Sequence, residues 1–195
     1  MTVGSEMHDR TDRIVSNRLI LQSVGLEVLR CFASGDRAGA RKNAEFIISD
    51  QCPLFNLPRV GKRLQLIDRD ADQHAWMYRA IINQANNTMV GYISFHHQPP
   101  DPDLSGYFDP ALGHAVELGY AIEPDQRRNG FATEAVKAMM SWAYSHKKIR
   151  SFILTIGHRN GPSLAMAERI GFRRIGTRMD DEDGLEYVYH ATHPS

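Results

Sequence analysis

Cysteine is nearly absent from this sequence: Cys31 and Cys52 are its two thiols, and they form no C-x-x-C pair. That spacing offers neither a disulfide framework nor a zinc knuckle. With no secretory leader ahead of them, the expected setting is reducing and cytoplasmic. Long apolar runs are missing as well; none approaches the roughly 18 residues that a bilayer-spanning helix needs. Excess charge of either sign is missing too, since 23 Lys and Arg balance 23 Asp and Glu for a formal net charge of zero. Without a global field the chain has no means of gathering nucleic acid or an anionic membrane, so neither is an expected partner and recognition must be local. Two nucleotide signatures are also lacking. The absence of G-x-x-x-x-G-K-[ST] argues against nucleotide hydrolysis, and the absence of G-x-G-x-x-G argues against hydride transfer.

What is present suffices for one well-buried core: 195 residues, 42% of them hydrophobic. Residues 1–13 show no periodicity and read as a loose segment, 14–190 as a single domain, and 191–195 as a tail. Strands are expected at 18–21, 74–82, 88–95, 115–122 and 151–156, with "FRRIGTRM" and "LEYVYH" forming a terminal hairpin. Apolar spacing predicts helices at 26–34, 38–49, 130–144 and 162–170, the last opening on proline in its favoured first-turn position. Residues 96–113 carry four prolines and read as a long loop. A meander followed by strands alternating with helices implies a mixed α/β sheet.

The densest signal is the strand, turn and helix written "VELGYAIEPDQRRNGFATEAV", residues 116–136. Helix first-turn amides are unpaired and carry partial positive charge, so a phosphate can sit there. Arg127 to Ala132 fits R-x-x-G-x-A. Gly130 permits a positive φ or a close ligand, Ala132 keeps the turn thin, and Arg127 and Arg128 can add charge-assisted contacts, with Asn129 and Phe131 completing the turn. An ordinary turn with solvated arginines is the alternative reading of these residues alone.

Joined to "NGPSLAMAERIGF" downstream and "NRLIL" upstream, this stretch resembles the GCN5-related N-acetyltransferase superfamily, and within it the ribosomal-protein N-terminal acetyltransferases (RimJ/RimL-like) and their small-amine-acetylating relatives. The resemblance spans about residues 17–190. It implies a central, mostly antiparallel twisted sheet flanked by helices, with a splay between the fourth and fifth strands where acetyl-coenzyme A lies as cosubstrate. By the same resemblance Arg127, Arg128, Asn129, Gly130, Phe131 and Ala132 cradle the pyrophosphate. Ile122 lies where strand backbone pairs with the pantetheine arm, and Asn160 and Ser163 line that arm. Asn160 is also placed to cap the following helix, and Ser163 to satisfy a nearby backbone group.

Alternation along "VELGYAI" puts Leu118, Tyr120 and Ile122 on one face and Glu117, Gly119 and Ala121 on the other, a carboxylate beside two positions of little bulk. An amine with an ordinary pKa of about 10.4 must lose a proton before it attacks a thioester, and Glu117 is the expected acceptor, directly or through water. A strand amide near Gly119 is expected to receive the developing oxyanion charge. The family commonly places a tyrosine acid seven residues beyond the asparagine; that position here is Ala167, leaving Ser163 through water, or unassisted departure of the thiolate. Direct attack in a ternary complex needs no acyl-enzyme.

The resemblance also places the amino-terminal helices, the 96–113 loop and the 180–184 turn at the acceptor mouth, where Asp101, Asp103, Tyr107, Asp109 and the terminal acids could attract a cationic amine; simply solvated loop acids are the alternative reading. His96 and His97 lack a third spaced ligand, so no metal site is expected. Trp76, Tyr92, Tyr107 and Trp142 read as packing or lining rather than as a base-stacking platform. The leading expectation is an N-acetyltransferase acting as monomer or homodimer on a primary amine, either a protein N-terminus or a small molecule. A catalytically silent acyl-coenzyme A binding module and a purely structural interaction domain are the alternatives.

Overall fold

The computed structural model describes residues 13–104, 115–181 and 184–193. Hydrogen bonds connect eight strands in the order β1-β2-β3-β4-β5-β6-β8-β7. These are β1 (Arg13–Val15), β2 (Leu19–Ser23), β3 (Arg79–Asn83), β4 (Thr88–Phe95), β5 (Ala115–Ile122), β6 (Ser151–Gly157), β7 (Arg173–Asp180) and β8 (Gly184–Thr192). Among the described residues five α-helices accompany them: α1 (Leu26–Ser34), α2 (Arg37–Asn43), α3 (Arg59–Arg69), α4 (Phe131–Lys147) and α5 (Gly161–Arg169). This is the expected mixed α/β architecture, mostly antiparallel. The chain forms two compact units, Met1–Ser94 with Tyr120–Ala138 and Phe95–Gly119 with Met139–Ser195.

In the first unit β1 to β4 make an antiparallel meander. Gly35 ends α1 with φ +73°, and Asp36 then caps α2 by accepting from the Gly39 amide at 2.9 Å. The second helix stops at Asn43, short of the expected residue 49, because Ala44 turns extended and the β-branched Ile47 bridges Thr88 of the sheet. One helix escaped the sequence reading altogether. α3 buries Val60, Leu64 and Ile67, whose i, i+4, i+7 spacing is the missed signal. Together with Val28, Leu29 and Phe32 of α1 and with Ile82 and Met89 of the sheet, they form this unit's core. His74 and Ala75, expected in a strand, lie in a short 3-10 turn, and β3 begins only at Arg79.

In the second unit β6 pairs antiparallel with β8, and β8 with β7. The β5–β6 ladder is parallel and holds three pairs, Ala115↔Ser151 to Glu117↔Ile153, although the strands are eight and seven residues long. This is the expected splay; the extra strand β1 makes the fourth and fifth expected strands β5 and β6. Phe95 stacks on Trp142 and Phe152 at 6.4 Å each, giving Trp142 its packing role. Arg13, expected in the loose segment, opens β1, and Ala191 and Thr192 extend β8 into the expected tail. Tyr107 and Asp109 lie outside the described residues. Among the described residues no helix is long and apolar enough to cross a membrane.

Gly91 on β4 is required by a close approach. A Cβ there would lie 2.2 Å from the Ala121 carbonyl oxygen and 3.0 Å from the Ile122 Cα, so β5 backbone occupies the space a side chain would take. Gly91→Ala should lower the stability of the fold by about 2–3 kcal/mol, the cost of overpacking against unyielding backbone. Gly61→Ala, inside α3 with nothing within 4 Å of the new Cβ, should instead raise it by about 0.5–1 kcal/mol. Urea denaturation midpoints of the two variants check the opposite signs.

Candidate active site

The phosphate-cradling candidate belongs to the first unit. After β5 the chain makes a short 3-10 turn and enters α4 through Arg128 and Gly130, which take positive φ of 65° and 78°. Glycine adopts that conformation freely; arginine does not. Glu134 N donates to Gly130 O at 3.1 Å as the helix begins, so the amides just ahead of it are ones a helix cannot satisfy for itself. Arg127, Arg128, Asn129 and Gly130 are exposed, while Phe131 is buried. The turn is anchored on both sides. Arg127 Nε donates to Ile122 O at 3.1 Å, which ties the first arginine back to the end of β5 and occupies that carbonyl. Asn129 Nδ2 donates to Gln126 O at 3.1 Å.

A residue the sequence reading passed over completes the anchoring. Arg18 donates through its backbone and Nε to the Glu134 carboxylate at 2.7 and 2.8 Å and through Nη1 to Asn129 O at 2.9 Å. Its guanidinium lies 4.9 Å from the Phe131 ring centroid. A Cβ on Gly130 would stand 3.4 Å from Arg18 Nη2, so the turn packs directly on this arginine. Burial pushes the Glu134 carboxyl up, but the bonds from Arg18 and Ser16 outweigh it and hold it below its ordinary value. "NRLIL" therefore contributes more than a strand.

Glu117 belongs to the second unit and has no exposed surface. Its two oxygens accept from Arg178 Nη1 and Nη2 at 3.1 and 3.2 Å, and one of them also accepts from the Thr155 hydroxyl. His96 Nδ1 stands 3.4 Å from the same oxygen. Burial pushes this carboxyl up, but His96, Arg178 and Thr155 together draw it down to about 2. Arg178 is shared, for its Nε donates to Glu186 at 2.8 Å. The histidines turn to different partners: His96 to Glu117, and His97 Nε2 to Asp103 at 3.3 Å. Asp101 is buried and accepts from the amides of Asp103 and Glu117 at 3.0 and 3.4 Å; burial first of all raises its pKa.

Asn160 and Ser163 also lie in the second unit. The Asn160 side chain accepts from the Ser163 amide at 3.3 Å, capping α5. Asn160 is exposed and Ser163 half-buried. Ala167, in the tyrosine's place, is fully buried, so this position presents no acid. Both cysteines are free and buried, and burial pushes the Cys52 thiol up to about 12, which suits a packing thiol and not a nucleophile.

The depressed pKa of Glu117 sets an acid dependence. A carboxyl at about 2 in the fold and 4.5 in its ordinary state contributes stability that is complete above about pH 4.5 and is lost as pH falls toward 2. Glu134 acts in the same direction. Thermal unfolding followed from pH 6 to 2 should therefore show a steeper acid loss for the wild type than for Glu117→Gln.

Residues 51–173 match the acetyltransferase (GNAT) domain family. An N-acetyltransferase 9-like protein of Nematostella vectensis is 37% identical over 94 residues, 48% of this chain and 42% of the relative. The chain spans less than half the length of the first curated relatives it matches. A GNAT-family acetyltransferase from Bacillus anthracis superposes with a TM-score of 0.59 at 20% identity, covering 92% of this chain and 98% of the other. Mycobacterium smegmatis RimJ, in a complex with CoA-disulfide, superposes with a TM-score of 0.58 at 16% identity, covering 89% and 81%. The fold, the glycine turn at the head of α4 and the match across more than half of the sequence lead to one assignment: the chain belongs to the GNAT acetyltransferase family.

Proposed function

We propose that the protein is an acetyl-coenzyme A-dependent N-acetyltransferase that moves an acetyl group to a primary amine by direct attack in a ternary complex. The observation that carries this reading is the turn at Arg128 and Gly130. Two residues of positive φ within three positions, braced by Arg18 and Arg127, present a helix head to solvent in a family that uses this cosubstrate. In this reading Arg127 to Ala132 hold the pyrophosphate through backbone amides and arginine charge, the Ile122 end of β5 lies along the pantetheine arm, and Asn160 and Ser163 face that arm. Family membership and relatives named as N-acetyltransferases support the reaction class.

Glu117 serves the amine side, and its neighbourhood suits a cationic acceptor. Three buried carboxyl groups, Glu117, Glu186 and Asp101, face the one guanidinium of Arg178 and the two histidines. Protein N-termini and small amines both fit that description. The proposed setting is the cytoplasm. Ser163 remains the proposed donor to the departing sulfur, through water. The silent-binder reading is favoured by one observation, the buried Ala167 in the place of a tyrosine acid.

Two measurements test the proposal. Gly130→Glu adds bulk and negative charge at the cradle and should weaken acetyl-coenzyme A by more than about 30-fold in isothermal calorimetry, about 2 kcal/mol; unchanged binding would remove the cradle. Acetyl-coenzyme A consumption should be accelerated by at least one member of a panel of N-terminal peptides, polyamines and amino sugars, with an acetylated product of the matching mass. Tight binding without any product would favour the silent module.

A further inference from the structure

Among the described residues, His96 and Arg178 are the partly exposed ionisable side chains that meet Glu117. The His96 side chain keeps 18% of its surface, against none for Glu117 and 17% for Arg178. The backbone fixes it, because His96 N donates to Glu117 O at 2.8 Å. The ring is then held between two residues of β5. Nδ1 faces Glu117 at 3.4 Å, and Nε2 lies where a Cβ on Gly119 would come within 3.1 Å, so the absent side chain of Gly119 makes room for the far edge of the imidazole. A carboxylate on one ring nitrogen sets the tautomer and leaves the other nitrogen with a lone pair, the arrangement used by general bases.

Glu117 itself is poorly suited to that task. Both its oxygens are engaged by Arg178, Thr155 or His96, and the result is a carboxyl held at about 2, far below an amine that must be deprotonated. We infer that His96 Nε2 is the proton acceptor for the amine, and that Glu117 is a positioning residue that orients the ring. This rests on the acetyltransferase reading above.

The step balances as follows. The acceptor arrives as an ammonium and gives one proton to His96 Nε2. The freed nitrogen lone pair forms the C–N bond to the thioester carbonyl carbon. The C–S bond breaks with its electron pair going to sulfur, the nitrogen's second proton leaves on coenzyme A thiol, and the imidazolium returns its proton to solvent. The charged groups facing His96 are Glu117 from β5, Asp101 from the loop after β4 and, across Glu117, Arg178 from β7.

The test uses the full chain, acetyl-coenzyme A and whichever amine of the panel is acetylated fastest by the wild type. His96→Gln should lower kcat at least about 100-fold, the usual reach of a general base, while acetyl-coenzyme A affinity by calorimetry stays within about twofold. The pH profile of kcat/KM should carry an acid limb in the wild type that vanishes in His96→Gln. His96→Ala should regain turnover with added imidazole, which a purely structural histidine would not. Turnover within threefold of wild type, or an acid limb that survives in His96→Gln, overturns the inference while leaving the acetyltransferase intact. A wild type that binds acetyl-coenzyme A but acetylates no amine overturns both.

Discussion

An ionised carboxylate with no exposed surface persists only where its neighbours replace the interactions water would give it. Glu117 meets that condition through a guanidinium, a hydroxyl and an imidazole that come from β7, β6 and the end of β4. Removing one partner of such a set leaves a buried charge uncompensated, typically a cost of 3–5 kcal/mol in other proteins. The cluster therefore ties three strands to the spot where the β5–β6 ladder ends, in a sheet that is otherwise apolar at Val116, Leu118, Phe152 and Leu154. Stability and the proposed site share one arrangement here.

The glycine-centred turn at the head of α4 follows a similar logic at the surface. Positive φ at Arg128 costs conformational energy that Gly130 does not incur, so the turn needs support from outside itself. Arg18 supplies it by bonding at once to Asn129 O in the turn and to Glu134 in the first turn of α4, while its guanidinium covers Phe131. Glu134 near the helix N-terminus also complements the helix dipole. The short segment ahead of β2 thus helps to define how the exposed amides and arginines are presented.

Much of this was legible from the residues alone. The strand, turn and helix from Ala115 onward, the cap formed by Asn160 and the terminal hairpin all rest on local rules: alternation, a glycine where φ must be positive, an asparagine before a helix and proline within its first turn. The errors have local causes too. Ile47 satisfies a helical period but its backbone bridges the sheet at Thr88, and α3 was lost among lysine and arginine that dilute its narrow apolar stripe. The sequence showed no third side chain to go with His96 and His97, whereas the fold turns His96 to Glu117 and gathers His97, Asp101 and Asp103 so that one polar side-chain atom of each lies within 4.8 Å of the others.

By itself the sequence determined the glycine-centred turn, the face of β5 that carries Glu117 and the mixed α/β class, because each depends on residues within a few positions of one another. Tertiary structure alone decided what Glu117 is. Its partner Arg178 lies 61 residues away, and Arg18 is separated from Glu134 by 116. The register shift between Arg174 and Gly176 rephases β7 so that Arg178 stands opposite Glu186 and reaches Glu117. A one-residue slip reverses every side chain of a strand, and such a phase is set by cross-strand pairing that no local pattern encodes.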